Sequence, residues 1–105
     1  MGVLSKFYIK AADGECIETV VRLSPDNRGI ITGRVLDHDG KPVPDVCVVL
    51  YDTMGKQDFA SYVLVDTLFT DSDGAFFLGP VVTGSLYAVY VYRNGTRTRE
   101  LELKV

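Results

Sequence analysis

The chain has 105 residues, 47% of them hydrophobic and 24% charged, and its formal net charge is -3. This length suits one domain, and the hydrophobic content is too high for an intrinsically disordered chain. The acidic balance lacks the basic excess that neutralises phosphates, so we expect neither nucleic acid nor a membrane surface as a partner. Residues 1–5 do not begin a signal peptide, so we expect a cytoplasmic protein or an excised domain of a surface or secreted protein.

The composition favours strands over helices, because Val, Thr and aromatic residues are frequent whereas Ala and Glu are scarce. Asp-Gly or Asn-Gly pairs stand between hydrophobic runs at four places: Asp13-Gly14, Asp39-Gly40, Asp73-Gly74 and Asn94-Gly95. Such pairs are strong hairpin signals. The pattern therefore predicts an all-β, antiparallel chain.

Taken in chain order, residues 6–23 alternate apolar and polar side chains around the first Asp-Gly pair, which predicts a β-hairpin. A polar connector follows, in which Pro25 is unsuited to a central strand. We therefore divide the chain into an N-terminal hairpin extension (residues 1–28) and a β-sandwich (residues 29–105), together forming one compact domain.

The sandwich region contains further short runs with strand character, separated by turn residues. The predicted strands are residues 29–37, 46–52, 61–70, 75–78, 86–93 and 96–105. The second of these is apolar on both sides, which predicts cover on both of its faces. Residues 53–59 contain Gly55 and several polar groups and are predicted to form a loop. Short strands at this spacing predict an antiparallel sandwich of about seven strands with an extra N-terminal hairpin.

Two stretches carry a more specific pattern. The first is Gly33-Arg34-Val35-Leu36-Asp37-His38-Asp39-Gly40-Lys41-Pro42, continuing to Val46-Cys47-Val48. The second is Thr70-Asp71-Ser72-Asp73-Gly74-Ala75-Phe76-Phe77-Leu78, followed by Gly84-Ser85-Leu86. Together they resemble the carboxypeptidase regulatory-like family, with its G-x-V-x-D-x-x-G-x-P-x-x-x-V-x-V, T-D-x-x-G-x-F and G-x-Y motifs. The resemblance covers residues 30 to about 103.

This resemblance implies a prealbumin-like (transthyretin-like, Ig-like) sandwich used as an accessory or assembly module. The sequence departs from the family pattern in three ways, the first being that the N-terminal hairpin lies outside the pattern altogether. Leu86 stands where the family has Tyr and Tyr87 follows it, so the register of strand 86–93 stays open by one residue. The segment between Tyr51 and Thr70 is longer than a minimal family member needs.

We predict no catalytic, cofactor-binding or metal-binding residues. His38 is the only histidine and falls at a predicted hairpin tip, a poor place for a preorganised site. Residues 37–40 and 71–74 each read D-x-D-G, as calcium loops begin, but the distal bidentate Glu is missing. Cys16 and Cys47 form either one disulfide or two buried thiols, and their spacing matches no zinc motif.

The clearest functional signal is a surplus of apolar side chains. If Val46, Val48, Leu50, Phe76 and Leu78 face the core, their neighbours in the strands face outward. Strand 86–93 adds either Tyr87, Val89 and Val91 or Ala88, Tyr90 and Tyr92 to that outer surface, depending on its register. The candidate interface is therefore Cys47, Val49, Tyr51, Phe77, Tyr87, Tyr90 and Tyr92.

Two explanations of this surface are open. The N-terminal hairpin can fold across it, with Phe7, Ile9 and Ile17 as the cover. Otherwise the surface contacts a protein, most simply a second copy or a parent assembly. The predicted function is a non-catalytic module that acts through protein–protein contacts. The alternatives are a carbohydrate-binding module, supported by six Tyr but no Trp, and a cell-surface or phage-appendage building block.

Overall fold

The computed structural model describes the backbone of residues 4–11 and all atoms of residues 16–105. The strands are β1 (Leu4–Ala11), β2 (Cys16–Leu23), β3 (Arg28–Leu36), β4 (Cys47–Asp52), β5 (Val63–Phe69), β6 (Ala75–Val82), β7 (Leu86–Arg93) and β8 (Thr96–Lys104). Within the described residues, the one helical element is a 3-10 turn at Phe59–Ser61. The prediction of an all-β chain is confirmed.

The strands form two antiparallel sheets that pack as a β-sandwich. The first sheet has the order β1-β2-β3-β6, and the second has the order β5-β4-β7-β8. The N-terminal strands belong to the first sheet, because β1 pairs with β2 and β2 pairs with β3 along their lengths. The predicted Asp13-Gly14 turn lies outside the described residues.

The core lies between the two sheets and follows the period-two pattern of the strands. Val48 and Leu50 of β4 are fully buried in it, as are Phe76 and Leu78 of β6, in agreement with the predicted alternation. The other core residues of the cluster are Ile17, Val21, Leu23, Ile31, Val35, Val43, Val46, Val81, Tyr87, Val89, Val91, Leu101, Leu103 and Val105. Every strand from β2 to β8 except the β5 edge therefore contributes fully buried or nearly buried apolar side chains.

The register of β7, which the sequence leaves open, has one clear solution in the structure. Tyr87 faces the core, and its hydroxyl accepts a hydrogen bond from the backbone N–H of Val82 at 2.9 Å. This bond satisfies the buried phenol, which an apolar pocket alone would leave without a partner. Tyr90 and Tyr92 consequently lie on the outer face of the second sheet.

A β-bulge changes the alternation of β5. Residues Cys47 to Leu50 pair in regular register with Phe69 to Asp66, but Tyr51 pairs with Leu64. Strict alternation along β5 would place Val65 on the same face as Thr67 and Phe69, but the extra residue of the bulge reverses the side-chain alternation. Val65 packs against the core instead, and Leu64 stands beside Tyr51 on the outer face.

Candidate functional site

The outer face of the second sheet gathers five of the seven residues of the candidate interface. They stand on the two central strands of that sheet: Cys47, Val49 and Tyr51 on β4, and Tyr90 and Tyr92 on β7. Cys47 pairs across the strands with Tyr92, and Val49 pairs with Tyr90. Although Tyr90 points away from the core, only 5% of it is exposed. Some other part of the chain must therefore cover this face.

The cover is the loop between β4 and β5, residues 53–62, which we call the covering loop. The ring of Phe59 stacks on the ring of Tyr90, with centroids 5.5 Å apart and planes 11° apart. Phe59 also meets Tyr51 edge-on at 5.1 Å and Tyr62 at 5.5 Å. The loop thus lays two aromatic rings of its own on the outer face.

Local hydrogen bonds position the covering loop. Its first residue, Thr53, is buried and donates its hydroxyl to the carbonyl oxygen of Leu86 at 2.8 Å. Further along, the carboxylate of Asp58 accepts the N–H of Ala60 at 3.1 Å and caps the 3-10 turn that carries Phe59. Asp side chains favour this bond to a backbone N–H two residues later, so the polar sequence of the loop determines its path.

Charged groups of β8 border the aromatic rings. The guanidinium carbon of Arg97 lies 4.7 Å from the centroid of the Tyr90 ring, a cation–π distance. Burial raises the pKa of Tyr90, and the carboxylate of Glu100 raises it further. Burial likewise raises the pKa of Tyr51, and the neighbouring Tyr92 raises it further. Both phenols therefore stay neutral at ordinary pH.

Three large apolar side chains on this face remain exposed. Phe69, beside Cys47 on the edge strand β5, is 68% exposed, Phe59 is 47% exposed, and Leu64 is also exposed. We define the aromatic face by these and the covered residues together: Cys47, Val49, Tyr51, Phe59, Tyr62, Leu64, Phe69, Tyr90 and Tyr92. It has a buried centre and an exposed apolar border on the β5 side.

The other two predicted interface residues lie elsewhere. Tyr87 is a core residue, so it is not available to a partner. Phe77 is 64% exposed but pairs with Thr32 of β3 and stands on the outer face of the first sheet. Sequence reasoning missed Phe59, Tyr62, Leu64 and Phe69. The signal for the first two was the length of the segment after Tyr51 together with two aromatic residues in a polar loop.

The structure also corrects the expected internal cover. The strands of the N-terminal hairpin extend the first sheet, whereas the apolar surface belongs to the second sheet. Ile17 is fully buried in the core between them, and the side chains of Phe7 and Ile9 lie outside the described residues. The prediction that the N-terminal hairpin covers the apolar surface is wrong for Ile17. Strand β2 pairs edge to edge with β3, and its inward side chains fill the core.

The two D-x-D-G segments are hairpin turns with the same hydrogen bonds. In each, the Oδ1 atom of the first Asp accepts the backbone N–H groups two and four residues later, at 2.9 and 2.9 Å for Asp37 and at 2.8 and 3.0 Å for Asp71. These bonds, led by the one from the N–H of Lys41, lower the pKa of Asp37. Among residues 16–105, no group of three or more His, Cys, Asp or Glu is arranged to hold a metal ion.

The remaining chemically distinctive side chains are separated from one another. His38 is exposed at the tip of its hairpin, with its Nε2 3.5 Å from a carboxylate oxygen of Asp39. Cys16 and Cys47 are free and half-buried, so of the two alternatives for the cysteines the disulfide is not formed. They start strands in different sheets. Burial raises the pKa of the Cys16 thiol, and Glu18 adds to the effect.

Comparisons of the chain with protein-family models, with curated proteins and with solved structures give no match. Within the described part of the chain, no helix has the length and apolar character needed to cross a membrane. The class of protein is therefore defined by the fold and the surface. It is an all-β sandwich in which the outer face of one sheet carries a cluster of aromatic rings.

Proposed function

We propose that this protein is a non-catalytic β-sandwich module that acts through protein–protein contact, with the aromatic face as its contact surface and a second copy as its first partner. The observation that supports the proposal is the aromatic face itself. It combines a buried centre at Tyr90 with exposed apolar side chains at Phe59, Leu64 and Phe69. Protein interfaces are rich in Tyr and Phe, and exposed apolar side chains that cluster in this way mark surfaces that contact a partner.

The size of the aromatic face suits a reversible dimer. The outer face of the second sheet, with four strands about 4.8 Å apart and about eight residues long, spans roughly 500 Å², and the aromatic face is the part of it on β5, β4 and β7. Stable interfaces bury about 800 Å² per partner, and weaker complexes bury less. The face alone therefore supports association at micromolar or higher concentrations rather than a permanent complex.

The charges on β8 favour a second copy over a strongly charged partner. The border of the aromatic face carries Arg97 and Lys104 as well as Glu100 and Glu102. Because both signs are present, two copies related by a two-fold axis can place opposite charges against each other. The net charge of -3 adds little repulsion between the copies.

The distribution of reactive groups supports a non-catalytic role. His38 lies in water at a hairpin tip, whereas the thiols of Cys16 and Cys47 are half-buried on strands of different sheets. A nucleophile needs a base within hydrogen-bond reach and a site sheltered from water. The arrangement of these three groups does not provide one.

We also infer that the sandwich is of the prealbumin-like type, as the resemblance to the carboxypeptidase regulatory-like family implies. The motif residues have roles that make physical sense in such a fold. Val35 and Val48 are fully buried in the core. Gly74 has a φ of +70°, and a Cβ atom there would lie 2.6 Å from the carbonyl oxygen of Val35, so a side chain would not fit. An accessory or assembly role agrees with this resemblance, whether in the cytoplasm, at a cell surface or in a phage appendage.

Two exposed phenylalanines provide a matched test. Phe69 lies on the aromatic face and Phe77 lies on the outer face of the first sheet, with nearly equal exposure of 68% and 64%. Analytical ultracentrifugation from about 1 µM to about 500 µM is expected to detect reversible dimers of the wild-type protein. Phe69→Ser should weaken dimerisation at least about ten-fold, because the most exposed apolar side chain of the aromatic face is lost, whereas Phe77→Ser should leave it unchanged.

A wild-type protein that stays monomeric over the whole concentration range would contradict self-association, as would weakening by Phe77→Ser alone. A glycan array separates the alternative function from the proposed one. Saturable glycan binding that Phe59→Ala abolishes, in a protein that remains monomeric, would favour the carbohydrate-binding alternative.

A further inference from the structure

The side of the sandwich formed by β5 and β6 is the part of the described surface with the most exposed apolar side chains. Each strand is the edge of its sheet, and the two lie alongside each other. Five exposed large apolar residues stand on them: Val63, Leu64, Phe69, Phe77 and Val82. The β5 sequence, VLVDTLF, has the β-branched and apolar character of strands that pair with other chains, and Asp66 is its one charge.

Asp66 bonds to both edge strands at once. Its Oδ1 atom accepts the backbone N–H of Thr67 in β5 at 2.9 Å. Its Oδ2 atom accepts the backbone N–H of Gly79 in β6 at 3.2 Å. One half-buried carboxylate therefore joins the edge of the first sheet to the edge of the second.

The two N–H groups are donors that an added strand would need. In β5, Thr70 donates its N–H to Val46 at 2.9 Å, toward β4. N–H groups alternate in direction along an antiparallel strand, and the register is regular from residue 66 to 69. The N–H of Thr67 consequently points away from β4, toward the open side.

The same argument applies to β6. Val35 donates its N–H to the carbonyl oxygen of Gly74 at 2.9 Å, which fixes the alternation of hydrogen bonds between β3 and β6. The register is regular from Ala75 to Leu78, so Leu78 bonds with β3 by alternation, and after it the N–H of Gly79 points to Asp66 rather than to β3. The next residue, Pro80, has no N–H to offer.

We infer that Asp66 closes this side of the sandwich against an added β-strand. Its carboxylate occupies the outward donors of Thr67 and Gly79, and its charge interrupts an otherwise apolar strand. Edge-to-edge growth is blocked although the surrounding side chains are apolar. The inference does not depend on the aromatic face having a partner, since it concerns the edge and not the face.

Asp66→Asn tests this role, because the amide keeps only one acceptor oxygen and loses the charge. Asp73→Asn is the matched control, since it makes the same charge change at an exposed turn. We expect the amide protons of Thr67 and Gly79 to exchange at least about ten-fold faster in Asp66→Asn, and thioflavin-positive aggregates to form faster. Both properties should be unchanged in Asp73→Asn.

Equal behaviour of the two variants in both measurements would overturn the inference. If Asp66→Asn does not fold, hydrogen exchange in the wild-type protein decides the question. Both amides are then expected to exchange at least about ten-fold more slowly than in an unstructured peptide, and exchange at the peptide rate would refute the role of Asp66. The dimerisation test with Phe69→Ser is read separately, so the two proposals fail independently.

Discussion

The outer faces of the two sheets differ in what the chain places on them. The first sheet presents Glu18, Thr32 and Arg34 around a shallow pocket of about 240 Å³, and Ile30, Phe77 and Val82 are exposed on its strands β3 and β6. The second sheet presents aromatic rings, which the covering loop partly shields from water. An antiparallel sheet can face water on a polar side, but an apolar side needs cover from the chain or from a partner. In the second sheet, the chain itself provides cover through the covering loop. Enough apolar surface stays exposed there for a partner to bind as well.

The largest expected difference between the two faces is in stability. Tyr90→Ala should lower the free energy of unfolding by about 2–3 kcal/mol, because it removes a nearly buried ring with several aromatic contacts. Phe77→Ala should change it by less than about 0.5 kcal/mol, because the ring is exposed. Urea denaturation followed by circular dichroism measures both values. Similar losses in the two variants would contradict the idea that only one face is packed.

A smaller effect is expected from the covering loop. Phe59→Ala should lower the free energy of unfolding by about 1 kcal/mol, because the half-exposed ring loses its stacking on Tyr90. Combined with Tyr90→Ala, it should reveal a coupling energy of about 0.5–1.5 kcal/mol in a double-mutant cycle. Met54, exposed in the same loop, provides the control, and Met54→Ala should have little effect. Additive losses for Phe59 and Tyr90 would show that the loop does not stabilise the face.

The smallest effects should appear at opposite ends of the pH range. The raised pKa of Tyr51 means that its hydroxyl stays protonated to a higher pH in the folded state than in the unfolded state, so stability should fall as the pH rises above 10.0.

The hydroxyl of Ser24, with Arg28, lowers the pKa of Asp26 to about 2. Asp26 lies between β2 and β3 of the first sheet, and its contribution should be lost as the pH falls from 3.8 to about 2.

Thermal unfolding at a series of pH values separates these two contributions. Tyr51→Phe should flatten the alkaline decline and leave the acidic one unchanged, and Asp26→Asn should do the reverse. A variant that alters both limbs equally would mean that it acts through general destabilisation. The Asp26 effect is the smaller one, because its carboxylate is exposed and screened by water.

The sequence predicted which side chains face the core in strands where only one face could be the buried one. Val48 and Leu50 were predicted to face the core with Phe76 and Leu78, and all four do so. Alternation could not decide the register of β7, because both of its faces are apolar, and the hydroxyl of Tyr87 needed a partner that only the fold supplies. The bulge beside Tyr51 was equally invisible, since an inserted residue has no distinct signature in an apolar strand.

The candidate site was predictable in kind but not in extent. The surplus of outward Tyr on β4 and β7 pointed to a surface that the structure places on the outer face of the second sheet, with five of the seven predicted residues on it. Phe59 was missed because the covering loop is polar in sequence, and its packing depends on where the chain turns back after Tyr51. The order of the strands in the first sheet was not predictable either, because a hairpin pattern does not say which strand the hairpin joins.

The twin Asp turns place two chain reversals side by side at one end of the molecule. Val35 joins them, since its N–H donates to Gly74 and its carbonyl oxygen accepts the N–H of Val43, each at 2.9 Å. The side chains of Asp37 and Asp71 accept the hydrogen bonds that hold the two turns. His38 and Ser72, at the tips, are exposed to water. Substitution of these two exposed residues should be tolerated, so this end offers two adjacent turns at which new recognition can evolve or be engineered.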